Sequence, residues 1–133
     1  MRRFHLEIAT PDGKCFDGEA ESILVKTDDG DAEILAGHAD FLASLATGRA
    51  RILVDGKARY ASASGGFISV TKDGAKVAAI TFEFADEIDE KRAEAAKERA
   101  EAALTNAKTE KDLNAAKAKL ARALSRLSVA ELK

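Results

Sequence analysis

Two hydrophobic rhythms share this chain, and they meet near Phe84. Before that point apolar and polar residues alternate in short runs. Phe4, Leu6 and Ile8 take turns with His5 and Glu7, the pattern of a strand with one buried face. Thr10-Pro11-Asp12-Gly13 then turns the chain, with proline presetting φ and glycine supplying the permissive position. Runs at Lys14-Cys15-Phe16, Ile23-Leu24-Val25, Ile34-Leu35 and Phe41 to Leu45 follow, separated by Thr27-Asp28-Asp29-Gly30 and by the loop Ala36-Gly37-His38-Ala39. Asp55-Gly56, between Arg49 to Val54 and Lys57 to Ser62, is the strongest hairpin signal, because a two-residue loop of this kind accepts the positive φ of a primed turn. Ser64-Gly65-Gly66 predicts a bulge or sharp bend before Phe67-Ile68-Ser69-Val70. Lys72-Asp73-Gly74 turns into the longest apolar run, Lys76 to Phe84. About nine or ten short strands at this spacing predict an all-β sandwich or flattened barrel.

From Asp86 onward glycine disappears, and Ala, Glu, Lys, Arg and Leu recur with helical spacing. Asp86 or Asp89 suits a helix N-cap, with acidic residues favoured in the first turn by the helix dipole. Ala93, Ala96, Ala100 and Ala103 fall on one stripe, and Glu87 with Lys91 and Lys97 with Glu101 are predicted surface neighbours. Thr105 to Thr109 loosens the pattern. A second helix then places Leu113, Leu120, Leu124 and Leu127 on one side, with Ala116 and Ala123 between them. The short connection predicts an antiparallel hairpin. The fold class is therefore α+β by segments, an N-terminal β-sandwich over residues 1–85 and a helical hairpin over 86–133. Each buried leucine contributes about 1.5 to 3 kcal/mol, but an alanine stripe buries little area and helices of this length are marginal alone. The hairpin thus reads as a weakly anchored arm with two arrangements a few kcal/mol apart.

Composition and charge narrow the functional classes. With 46% hydrophobic and 33% charged residues among 133, the chain is neither disordered nor collagen-like. A net charge of -2, evenly mixed in sign, lacks the basic footprint of a nucleic-acid binder. No apolar stretch approaches the roughly 20 residues that cross a bilayer, and the N-terminus shows no export pattern. The single Cys15 cannot close an intrachain disulfide, which suits a reducing cytoplasm, and it reads as a small buried residue. His5 and His38 have no Cys or carboxylate pair at ligand spacing, so no metal is expected and His38 reads as a loop-shaping residue. No Ser/His/Asp or paired-carboxylate arrangement offers a catalytic residue. A compact sheet with a charged, alanine-rich arm points to a docking body with a movable element.

Several motifs in order resemble the epsilon subunit of F-type ATP synthases. They are Leu6-Glu7-Ile8-Ala9-Thr10-Pro11-Asp12-Gly13, Ile34-Leu35-Ala36-Gly37-His38-Ala39, Ser64-Gly65-Gly66-Phe67 and Leu127-Ser128-Val129-Ala130-Glu131-Leu132. Ala36 stands where the family usually has proline, Glu33 where glycine is common, and Ala46-Thr47-Gly48 where Lys-Pro-Gly is usual. The missing prolines leave those loops freer before and after folding.

The resemblance implies a non-catalytic central-stalk rotor subunit of the proton-translocating enzyme, peripheral on the cytoplasmic side of the bacterial inner membrane. Its sandwich would bind the gamma subunit and rest on the c-ring, coupling their rotation to ATP synthesis. Its hairpin would either fold against the sandwich or extend toward the catalytic beta subunits and inhibit hydrolysis. Ile88-Asp89-Glu90-Lys91-Arg92-Ala93 resembles the family motif associated with ATP binding. No cofactor is required, and ATP enters as a regulatory ligand. Arg92 and Arg99 share one helical face and Arg122 and Arg126 another, so a closed hairpin would bring four guanidinium groups together, with Glu83 and Asp89 as acceptors. The resemblance also gives Arg122 and Arg126 a contact to beta, and His38 one to gamma or the c-ring. The plainer alternative stays open: these arginines as solvated rim residues, and Asp89 as a helix cap. The competing functional class is a free-standing cytosolic ATP-binding sensor or adaptor.

Overall fold

The computed structural model describes residues 2–133. Eight strands occupy the first part: β1 (Phe4–Thr10), β2 (Gly13–Ala20), β3 (Ser22–Thr27), β4 (Gly30–Leu35), β5 (Phe41–Ser44), β6 (Gly48–Val54), β7 (Lys57–Thr71) and β8 (Gly74–Phe84). A 3₁₀ turn at Ala85–Glu87 leads to helices α1 (Glu90–Asn106) and α2 (Glu110–Ala130). The strands hydrogen-bond in the order β2-β1-β8-β7-β6-β3-β4, with β5 also on β7. All neighbours are antiparallel except β1 and β8, which run parallel with Leu6 opposite Ala75 and Ile8 opposite Val77.

Eight strands stand where about nine or ten short ones were expected, because β7 does not stop at Ser64-Gly65-Gly66. It runs for 15 residues, and its register against β8 is unchanged from Ala61↔Phe84 to Thr71↔Gly74. What changes is the direction its side chains face. Ala61 and Ala63 point into the core before the glycines, and Ile68 and Val70 after them, so the inward set passes from odd to even positions. On β8 the same switch separates Val77 and Ala79 from Phe82 and Phe84. Side chains alternate strictly along a strand, so such a phase change needs a local break in backbone conformation. Gly65 (φ +69°) and Gly66 (φ +89°) supply it. The partner of β7 changes at the same place, from β6 along Lys57–Ala63 to β5 along Phe67–Val70. One long strand pair thereby serves both layers. Leu6, Ile8, Ile23, Val25, Ile34, Ile52, Ile68 and Val77 close into a single core between them. Asp55 (φ 52°) and Gly56 (φ 76°) both take the positive φ that the primed β6–β7 hairpin demands.

Asp89 caps α1 by accepting the Arg92 N–H at 3.1 Å, and Thr109 caps α2 by accepting from Asp112 at 3.0 Å. Each cap satisfies an N–H that has no partner inside its helix. The two helices meet through alanine: Ala93 and Ala100 on α1, and Ala116 and Ala123 on α2, are all buried. The leucine stripe expected on α2 is only half-covered, and Leu124 keeps 46% of its surface exposed. Small side chains let the helix backbones approach closely, which leaves the longer leucines at the rim of the seam. The surface pairs also differ from expectation. Lys97 meets Glu94 at 3.8 Å, and Glu87 accepts the Phe84 N–H at 3.2 Å.

The arm rests on the sandwich through α2, over a face of the sheet that is polar. Cross-strand pairing places Arg49, Ser62 and Glu83 in one row and Leu24, Arg51 and Tyr60 in the next. Ser125 Oγ lies 2.7 Å from Ser62 Oγ, and Arg126 Nε donates to Glu83 Oε1 at 2.8 Å. The buried apolar residues here form a satellite cluster of Ala85, Ile88, Val129 and Ala130 against Tyr60. Burying Val129 and Ile88 is worth about 1.5 to 3 kcal/mol each, a half-exposed ion pair about 0 to 1, and a hydroxyl pair about 1. Ordering the segment between sandwich and helix opposes these gains. The grip amounts to a few kcal/mol.

Candidate functional site

Between α1, the end of α2 and the edge of β8 lies a groove of about 460 Å³. Seven of the eight nucleotide-site candidates line it: Glu83, Ile88, Asp89, Arg92, Ala93, Arg99 and Arg126. The fold explains their convergence. Glu83 faces outward on β8, the 3₁₀ turn carries the chain round to Ile88, and the Asp89 cap fixes the start of α1. Arg92 and Arg99 then follow two turns apart on one helical face. The hairpin connection at residues 107–109 returns Arg126 to the same place. Arg122, the eighth candidate, lines a neighbouring cavity of about 330 Å³ that shares Ala96, Arg99 and Arg126 with the first. The two cavities together form one furrow along the hairpin.

Its electrostatics are uneven. Arg126 is engaged by Glu83 across the arm and sandwich, and Asp89 serves its helix cap. Arg92, Arg99 and Arg122 form no ion pair with any described residue. Counting both cavities, Arg92, Arg99, Arg122, Arg126 and Lys119 outnumber the carboxylates Glu83, Glu87 and Asp89, and the surplus of positive charge favours an anionic ligand. Ile88 is buried and Ala93 almost fully so, and these give the furrow a short apolar floor. Sequence reasoning missed Glu87 and Ala96, which also line the groove. Ala96 was legible in part, lying midway between Arg92 and Arg99 on their helical face, where a small side chain leaves space. Glu87 depends on the 3₁₀ turn, which the sequence pattern did not indicate.

Other singled-out residues lie elsewhere. His38 is exposed in its loop, with Nδ1 2.6 Å from the Ala39 carbonyl oxygen and its ring edge-on to Phe41 at 5.8 Å. Cys15 is half-buried with Sγ 3.8 Å from the Phe82 carbonyl, and burial pushes its thiol above the ordinary value, away from the thiolate that reactivity requires.

Two family descriptions together span nearly the whole chain. Residues 3–85 match "ATP synthase, Delta/Epsilon chain, beta-sandwich domain" and residues 86–131 match "ATP synthase, Delta/Epsilon chain, long alpha-helix domain". The chain belongs to the epsilon family of ATP synthase subunits. It is 39% identical over 130 residues to an ATP synthase epsilon chain of Bacillus velezensis, covering 98% of both chains. It is 42% identical over 130 residues to the one from Caldanaerobacter subterraneus subsp. tengcongensis, covering 97% of this chain and 94% of that one. In fold it is similar to a chain of the Euglena gracilis mitochondrial ATP synthase OSCP/F1/c-ring structure. There the TM-score is 0.82 and the identity 24%, over 98% of this chain and 82% of that one. A chain of the Tetrahymena thermophila mitochondrial central stalk and c-ring structure aligns with a TM-score of 0.67 at 16% identity, over 97% of both chains. Membership along the full length displaces the free-standing sensor, since the epsilon family supplies a subunit of a complex. Among the described residues no helix is long and apolar enough to cross a membrane.

Proposed function

We propose that the chain is a non-catalytic rotor subunit that transmits rotation between c-ring and gamma and restrains ATP hydrolysis through its arm. The arm, in this reading, is held down by ATP bound in the Arg92 furrow. The observation that carries the reading is the furrow itself. Its polar groups sit on two modules, the acceptor Glu83 on the sandwich and the donors Arg92, Arg99 and Arg126 on the arm, so a ligand that spans them binds only while the arm is folded down. A ligand selective for one arrangement shifts the equilibrium toward it, by about 2.7 kcal/mol at a hundredfold excess over its dissociation constant. That matches in size the few kcal/mol with which the arm is held. With the arm extended, Arg122 and Arg126 become available to acidic groups on beta.

Equilibrium dialysis of the full chain against ATP tests this. Arg92→Ala should weaken binding about tenfold or more, because it removes a charge-assisted contact. No uptake at millimolar nucleotide, or equal uptake by the variant, would refute ATP as the ligand.

The docking face is supported by a second feature. Leu42, Phe67 and Ile80 stand 72%, 48% and 64% exposed on the outward side of β5, β7 and β8, beyond the glycine bend and away from the arm. An apolar group of this kind on a small soluble chain marks a protein contact, and gamma is the partner the family reading assigns to it. The exposed loop with Leu35 and His38 is left for the c-ring. Phe67→Glu should leave folding intact but markedly reduce co-purification with the other stalk subunits. Undiminished recovery would place gamma on another face.

A further inference from the structure

A second groove, of about 690 Å³, opens on the opposite flank of α2 and shares no residue with the nucleotide furrow. Its sandwich side presents Lys26, Arg49 and Arg51, and its helix side presents the hydroxyls of Ser125 and Ser128. Asp31 is the only acidic residue among the described residues along its wall. Lys26 and Arg49 form no ion pair with any described residue. Arg51 donates through Nη2 to Glu33 at 2.5 Å, yet its Nε is buried with no hydrogen-bond partner among the described residues. A buried guanidinium N–H without an acceptor is uncommon, and beside two further cations it signals a place where an acceptor belongs. Gly48 contributes by its lack of a side chain. A Cβ there would come 2.7 Å from Lys26 Cδ, so the lysine stem crosses the glycine to reach the groove.

We propose that this groove binds a small phosphate-type oxyanion, held between the basic row of the sandwich and the serine hydroxyls of α2. Guanidinium forks match the paired oxygens of phosphate, and hydroxyls donate to the remaining oxygens. With Glu33 engaged by Arg51, the two unpaired cations Lys26 and Arg49 and the free Nε of Arg51 face Asp31 alone, a balance that suits an oxyanion with several acceptor oxygens. Because the donors come from both modules, the bound anion ties the arm to the sandwich. The arm thus carries two effector sites, one on each flank of α2, and the second acts independently of the nucleotide reading.

Calorimetric titration of the full chain with inorganic phosphate, at constant ionic strength in chloride, tests the site, and pyrophosphate and ATP in parallel identify the source of the phosphate group. Saturable phosphate binding is expected, weakened about tenfold or more in Arg49→Gln and in Lys26→Gln, whose side chains are exposed and leave the core untouched. Ser128→Asp, on the exposed wall of the groove, should weaken it similarly by like-charge repulsion. Arg92→Ala should bind phosphate as the parent does, and phosphate should slow amide exchange at the C-terminal turns of α2 in both of these but not in Arg49→Gln or Lys26→Gln. The proposal is overturned if the parent shows no saturable uptake or if both basic variants keep the parent's affinity. It is equally overturned if Arg92→Ala abolishes binding, which would assign the anion to the nucleotide furrow, or if only ATP binds.

Discussion

Gly66→Ala should cost the sandwich about 2 to 6 kcal/mol, from roughly 1 to 3 of backbone strain and a similar penalty for overpacking. The position is at φ +89°, where an L side chain is strained, and the new Cβ would stand 1.8 Å from the Ala78 carbonyl oxygen and 2.9 Å from Ala79 Cα. Those atoms belong to the backbone of β8 in the middle of its ladder with β7, so neither can retreat without breaking pairing. Two neighbouring glycines calibrate the effect. A Cβ at Gly65 would meet Ile80 Cδ1 at 2.6 Å, but that is the tip of a flexible, exposed side chain that can rotate away. At Gly56 nothing lies within 4 Å, and only the positive φ opposes alanine. The expected order of destabilisation is Gly66 well beyond Gly65, and Gly65 beyond Gly56, by urea unfolding followed through far-ultraviolet circular dichroism. The thermal midpoint of Gly66→Ala should fall by more than about 10 °C. Equal losses at Gly56 and Gly66 would mean that β7 and β8 do not approach as closely as the bend requires.

This bend shows where sequence reasoning was strong and where it stopped. The tripeptide Ser64-Gly65-Gly66 was legible as a break in a strand, and the alternation on either side was legible as two buried faces. That the strand continues, and that the glycines swap its inward face while its partner changes from β6 to β5, depends on pairing between distant segments. Local alternation carries no record of that pairing. The parallel union of β1 with β8 was hidden for the same reason, because Leu6 and Ala75 are brought together by the closing of the core and not by any turn. The helices were the reverse case. Their caps and alanine spacing are properties of adjacent turns, and Asp89 and Ala93 take up the places their spacing predicts. The leucines of α2 misled, since a stripe at helical spacing says that one face is apolar but not how far the partner helix will cover it. For the site, one turn of helix and one arginine repeat located most of the lining, whereas the part played by Glu87 waited on the 3₁₀ turn. The basic groove on the far side of α2 had no signature at all. Lys26, Arg49 and Arg51 come from two strands, and they become neighbours only in the paired sheet.

Val129→Asp should release the arm, and its consequences separate holding from inhibition. Val129 is fully buried in the satellite cluster with Ile88 and Tyr60, and the basic groups nearest along the helix, Arg126 and Lys133, already pair with Glu83 and Glu90. An ionised carboxylate left there without a partner costs several kcal/mol, at least as much as the whole grip of the arm. Undocking relieves that cost at once, because the alanine seam between α1 and α2 does not involve position 129 and the hairpin can leave as a unit. In the isolated chain, amide exchange should accelerate along residues 85–89 and over the face of β7 that carries Tyr60 and Ser62, with the strands of the core unchanged. Nucleotide uptake should weaken as well, since Glu83 and Arg126 would no longer share a furrow. In the assembled enzyme an arm that rests extended should lower ATP hydrolysis, whereas removing residues 86–133 should raise it above the parent. The two changes both undo docking, so their opposite effects isolate the extended hairpin as the inhibitory element. Hydrolysis that moves in the same direction in both, or not at all, would leave the arm without a part in restraint. Protection of residues 85–89 retained in Val129→Asp would show that the small apolar cluster is not what holds it down.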